Sequence, residues 1–170
     1  KEEADQLAEP ITGPIPGLTT DRLTKLAKQK NCFIIAGLAE KEEGAVYNSS
    51  VVTGPDGVLG RYRKIHLFDT EKKIFEAGKE APPVFQLGAA RVGVMICFDW
   101  RFPETARSLA LREADIIAHP SNLVLPHCPQ SIITRCLENR VFAVTVDRVG
   151  SESRIPDEKV LGLPKTKPVD

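Results

Sequence analysis

The stretch Val92-Gly93-Val94-Met95-Ile96-Cys97-Phe98-Asp99-Trp100-Arg101-Phe102-Pro103-Glu104 restricts what this chain can fold into more than any other. A continuous apolar run of buried-strand character ends abruptly at a cysteine. Polar and aromatic residues follow, then a proline of the kind that opens a helix. A strand, a sharp turn and a helix start, in that order, lift one thiol out of a sheet and aim it into a cleft. A helix beginning close by sets its positive end near the sulfur, where it favours a thiolate. The same residues also fit a buried structural cysteine, since free cysteines are among the most buried residues.

Periodicity and turn residues order the rest. Residues 1–9 read as a helix tail and Ile11–Gly17, with two prolines and two glycines, as a loop. Thr19 or Thr20 is expected to cap a helix with Leu23, Leu26 and Ala27 on one face, ended by Asn31. Cys32–Leu38 reads as a strand buried on both faces, Lys41–Gly44 as a solvated turn, and Val46–Thr53 as a second strand. Gly54-Pro55-Asp56-Gly57 is a strong turn that returns the chain through Val58–Ile65. That arm delivers Lys64 to a strand end, either as a solvated edge lysine or into a site. Val84–Leu87 and Arg91–Ile96 form a further expected hairpin. Beyond Cys97 the pattern gives a helix over 104–114 with Ala106, Leu109 and Ala110 inward, and a strand over 115–119. A loop over 120–129 holds Ser121, Asn122 and His127. A helix over 130–142 follows, with Ile133, Leu137 and Val141 on its core face, and a last strand over 143–147. Ser153-Arg154-Ile155 and Lys159-Val160-Leu161 read as strand remnants. Hairpins mixed with helix-strand units imply an α/β layered fold.

Composition removes several classes of function. The 170 residues are expected to make one domain with a substantial core. Lys plus Arg and Asp plus Glu both number 23, so charge offers no reason to expect nucleic acid or an anionic membrane as partner. No apolar run reaches membrane-spanning length and no signal peptide opens the sequence, so a cytoplasmic location is expected. Cys32, Cys97, Cys128 and Cys136 lack C-x-x-C spacing and read as free thiols. His66, His119 and His127 fit no metal-site spacing, and no metal or other cofactor is expected.

Four segments, GRYRKIHLF, GVMICFDWRFPE, HPSNLVLP and RCLENRVFAVTVDRVG, together resemble the carbon–nitrogen hydrolase (nitrilase) superfamily. The resemblance runs from about Gly17 to Gly150, and the cysteine follows the lysine by 33 residues, as it implies. It implies a four-layer α-β-β-α sandwich, incomplete here. It also implies homodimers or larger assemblies paired through helices beside the active site. The implied activity is hydrolysis of a linear amide, carbamoyl amide or nitrile through a cysteine thioester. Cys97 would be the nucleophile, Lys64 the cation facing the tetrahedral species, and Glu71 an orienting carboxylate. The backbone N–H of Phe98 would complete the oxyanion hole, and Asn122 would fix the loop beside the cleft. Read from its residues alone, Glu71 also fits a surface carboxylate and Asn122 an Asx turn after Pro120. Trp100, His127 and Phe68 are candidates to line the pocket. Arg140 is expected to pair structurally, with Glu138, Asp147 or another carboxylate.

The resemblance also implies a general-base glutamate in an upstream Phe-Pro-Glu segment. Counting back from Lys64 runs off the start of the sequence. Glu2, Glu3 and Glu9 stand too close to the lysine, and Glu104 suits a first helical turn. After residue 150 the family pattern is shortened as well. The expectation is therefore an enzyme whose base lies outside these residues. The readings left open are a fragment, a sequence with gaps, or a shortened, non-catalytic relative that binds a ligand or partner through the same cleft.

Overall fold

The computed structural model describes residues 2–13 and 16–150. The two expected strand remnants after residue 150 lie outside them. The elements are α1 (Glu2–Leu7), α2 (Leu18–Lys30), β1 (Ile34–Glu42), β2 (Ala45–Gly54), β3 (Gly57–Arg63), α3 (Glu71–Ile74), β4 (Val84–Leu87) and β5 (Ala90–Val94). A 3-10 turn (Cys97–Arg101), α4 (Pro103–Leu111), β6 (Ile116–Ser121), α5 (Cys128–Asn139) and β7 (Phe142–Asp147) complete them.

The first sheet is an antiparallel meander, β1-β2-β3, closed by short turns after Glu42 and Gly54. The second is mixed, in the order β4-β5-β6-β7. β4 and β5 form a hairpin, and β5, β6 and β7 run parallel, joined through α4 and α5. Val52 and Tyr62 of the first sheet pack with Leu87, Val92, Val94 and Ile96 around the second. The outer face of the second sheet buries Met95 and Ile117 against Ala106 and Leu109 of α4 and Cys128 of α5. Helix α2 contacts all three strands of the first sheet and buries Ala27. The layers therefore run helix, sheet, sheet, helix.

Several local readings differ from expectation. Helix α2 is capped at Gly17, not at a threonine. The Glu9 carboxylate accepts the Thr19 and Thr20 amides and the Thr20 hydroxyl, so the cap comes from a residue remote in sequence. Asn31 ends α2 in the left-handed conformation, as its residue type favours. Strand β1 starts at Ile34 and continues through Lys41 to Glu42. It is a sheet edge and mostly half-buried, not covered on both faces. Strand β6 extends through Pro120 and Ser121, which pair with Val146 and Asp147. The β5 ladder has ended at Ala118, so Pro120 sits where β6 has a single neighbour.

The largest difference concerns α5. It spans Cys128–Asn139, and Arg140 follows in the left-handed conformation. Its inward stripe is Cys128 and Ile132, whereas Ile133 and Leu137 are 61% and 75% exposed. Adjacent apolar stripes on one helix cannot both face one sheet. Phe142, Val144 and Val146 of β7 are exposed too.

Candidate active site

The parallel strands β5 and β6 end at one rim, as open α/β layers bring their strand termini to a site. Past β5 the chain reaches Cys97 with φ at 41°, in the left-handed region that strains any residue with a Cβ. The 3-10 turn starts at Cys97 itself, and Pro103 then opens α4. The abrupt end of the apolar run is thus a backbone elbow. Two buried side chains hold it. Asp99 accepts the Ile96 amide at 2.9 Å. His119, from β6, lies with Nε2 at 2.8 Å from the Cys97 carbonyl oxygen. A carbonyl only accepts, so Nε2 carries the hydrogen and Nδ1 accepts from the Thr145 hydroxyl at 3.0 Å. Burial pushes the His119 pKa down, against the Cys97 carbonyl contact, which raises it, so the ring is neutral around pH 7.

The elbow leaves Cys97 half-buried, with Sγ 3.4 Å from the Asn122 carbonyl oxygen. The sulfur faces a cavity of about 720 Å³ that also exposes Asn48, Phe68, Glu71, Asn122 and Asp147. Cys128 contrasts with it. That thiol is buried, and burial pushes its pKa up to about 11.

Lys64 follows directly after β3. Its amide donates to the Asn48 carbonyl, and its own carbonyl accepts from Gly78. Gly78 is required there, because a Cβ would fall 2.2 Å from the Arg63 carbonyl oxygen. Lys64 is fully buried, and its Nζ lies 2.7 Å from Glu71 Oε2. Glu71 also accepts the Phe68 amide at 2.7 Å and the Asn48 side-chain amide at 3.0 Å. Three donors hold the carboxylate, which belongs to the cavity wall and not to a solvated loop. Lys64 is likewise no edge lysine.

The structure thus gathers Cys97, Glu71 and Asn122 on one cavity, with Lys64 bonded to Glu71. The Phe98 amide is in the first turn after the elbow, where helical amides have no intrahelical partner. Its ring packs between Phe68, Trp100 and Phe102. Phe68 lines the cavity; Trp100 is buried among α4 and α5 residues but also borders a small recess with Phe68, Cys97 and Phe98, and His127 is exposed at the start of α5. Glu104 is exposed in the first turn of α4. Arg140 makes no ion pair among the described residues; Glu138 pairs with Arg135, and Asp147 accepts the Leu123 and Arg148 amides. Sequence reading missed Asp99 and His119. The visible signal was a polar residue inside each otherwise apolar segment. Among the described residues no cluster of three or more His, Cys, Asp or Glu could hold a metal ion, and no helix is long and apolar enough to cross a membrane.

Comparison with known proteins places this geometry in context. The carbon–nitrogen hydrolase family model matches residues 1–162. A nitrilase of Pyrococcus abyssi is 53% identical over 152 residues, covering 89% of this chain and 57% of that protein. The Homo sapiens omega-amidase NIT2 is 35% identical, covering 77% of this chain and 52% of the relative. Among solved structures, a carbon–nitrogen hydrolase from Helicobacter pylori G27 superposes with a TM-score of 0.73 at 28% identity, over 79% of this chain and 52% of that one. Saccharomyces cerevisiae Nit3, of the nitrilase superfamily, shares the fold with a TM-score of 0.78 at 24% identity, over 86% and 56%. The chain spans about half the length of the curated relatives it matches.

Proposed function

Because this chain belongs to the carbon–nitrogen hydrolase family, we propose that it hydrolyses a non-peptide carbon–nitrogen bond of a small linear amide, carbamoyl amide or nitrile through a thioester on Cys97. One observation carries this reading. The strained Cys97 elbow and Glu71, which holds the buried Lys64 ammonium at 2.7 Å, open onto one cavity.

An amide is a weak electrophile, and a sulfur nucleophile splits its hydrolysis into two easier steps. The Cys97 thiolate adds to the carbonyl carbon. The developing oxyanion is received by the Lys64 ammonium and the Phe98 amide, where one such donor is worth about 2.7–4 kcal/mol in the transition state. The tetrahedral species expels ammonia and leaves the acyl group on sulfur. Water then releases the carboxylic acid and restores the thiol. Glu71 already accepts three donors, which suits an orienting role better than proton transfer. The proton-shuttling base of this proposal is a further glutamate outside these 170 residues. Asn122, through its carbonyl beside Sγ, sets the approach to the nucleophile.

Two further elements belong to the proposal. The enzyme works in the cytoplasm, supported by four free cysteines. Copies associate through the exposed Ile133, Leu137 and Phe142 of α5 and β7, which otherwise expose apolar side chains to water.

The test is ammonia release by the intact protein over a panel of aliphatic amides, dinitriles and carbamoyl amino acids. Cys97→Ala abolishes release from every substrate the wild type turns over. Undiminished release by the variant refutes the assignment.

A further inference from the structure

Asp99 is completely buried, yet its carboxylate takes up four donors. Oδ2 accepts the Tyr62 hydroxyl and the Ile96 amide, each at 2.9 Å. Oδ1 accepts the His66 amide at 3.3 Å and lies 2.7 Å from His66 Nδ1, which therefore carries a hydrogen. Tyr62 and His66 flank Lys64 two residues to either side, and Ile96 immediately precedes Cys97. One carboxylate thus joins the end of β3 to the end of β5, at the point where each sheet delivers its reacting group. The His66 ring is itself fixed by stacking on Phe102, at 3.7 Å between centroids.

We propose that Asp99 is a positioning residue, which holds Cys97 in its strained conformation and sets its span to Lys64. The inference rests on the function proposed above. A left-handed non-glycine residue persists only where its surroundings over-determine it. Here the Ile96 amide is clamped on one side of Cys97 and its carbonyl on the other, by Asp99 and His119. Asp99 alone of these two also reaches the lysine strand. An asparagine cannot replace it, because its amide group would turn two hydrogens toward two of the four donors and leave them unpaired.

The experiment follows iodoacetamide labelling of Cys97 in the intact protein by peptide mass spectrometry, with Cys32 as internal reference. Iodoacetamide reacts with the thiolate. Asp99→Asn is expected to slow Cys97 relative to Cys32 by about tenfold, because a small misplacement of a reacting group has effects of that order or larger. Removing the carboxylate charge alone would favour the thiolate, so slower labelling cannot come from charge. Tyr62→Phe slows it less, and the double variant no more than Asp99→Asn, since Tyr62 acts through Asp99. Leu109→Ala, at a buried position of α4 that makes none of the clamp's hydrogen bonds, lowers the melting midpoint but leaves the labelling ratio unchanged. A ratio in Asp99→Asn that matches wild type, or that moves no more than in Leu109→Ala, overturns the proposal. Should Asp99→Asn not fold, an unchanged ratio in Tyr62→Phe overturns it equally. Lys64→Met tests the underlying site separately. An unchanged ratio there, with slowing in Asp99→Asn, contradicts the role given to Lys64 and upholds the clamp on Cys97.

Discussion

The two sheets hold the lysine and the cysteine of the candidate site by opposite means. The first delivers Lys64 by charge: a fully buried ammonium is held by Glu71, next to a strand whose Arg61 and Arg63 pair with the buried Glu40. The second delivers Cys97 by backbone: a strained elbow is held by the Ile96 amide donating to Asp99 and by His119 donating to the Cys97 carbonyl. The first sheet is built from neighbours in sequence, the second from one hairpin and two strands that each follow a whole helix. The charged side should therefore be intolerant of changed charge. The elbow side should be intolerant of lost hydrogen bonds, whatever the charge.

Substitutions at the ion pair give the largest effect on stability. Glu71→Gln leaves the Lys64 ammonium buried and uncompensated, and should destabilise by about 3 kcal/mol in urea unfolding. Lys64→Met should cost less, because the carboxylate left behind is 25% exposed and can be hydrated. The reverse order would show that charge burial does not organise the first sheet.

On the elbow side the expected effect is smaller and depends on pH. Burial keeps His119 below its ordinary pKa of 6.5 in the folded state. The unfolded chain therefore binds the extra proton first, so stability is full above about pH 6.5 and falls as the pH drops toward the folded value. His119→Gln should flatten this part of the stability curve between pH 6.5 and 5, measured by denaturant melts across that range. An unchanged slope would mean that His119 is not held neutral against the elbow.

The smallest effect belongs to the outer face. Leu137→Ala, at a side chain 75% exposed, should change the stability of a single copy by less than about 0.5 kcal/mol. Its effect should appear instead in sedimentation, as weaker self-association.

Legibility followed the same division between the sheets. The meander could be read because its turns are local: Gly54-Pro55-Asp56-Gly57 reverses the chain, and Lys64 stands at the end of the returning strand. Cys97 was legible because an apolar run stops there without a transition, although β5 itself ends at Val94. Pairings between distant segments were not. Nothing near Glu9 announces that it caps α2, and nothing near Asp99 or His119 announces the groups they hold. Helix α5 misled for another reason. Cys128-Ile132 and Ile133-Leu137 are both apolar stripes at helical spacing, and only the position of the sheet decides which one is buried. Trp100 was a pocket candidate that sequence could not separate from plain packing; it packs into the helix layer and also borders a small recess with Phe68, Cys97 and Phe98.

The most direct test is the mass of the protein caught during turnover. The intact protein, mixed with an amide it hydrolyses and quenched in acid, should carry a mass increase equal to the amide less ammonia. Fragmentation should place that acyl group on the Cys97 peptide, and hydroxylamine should remove it. Ammonia release accompanied by an acyl group on any other residue, or by none under conditions where deacylation limits the rate, would contradict the thioester route.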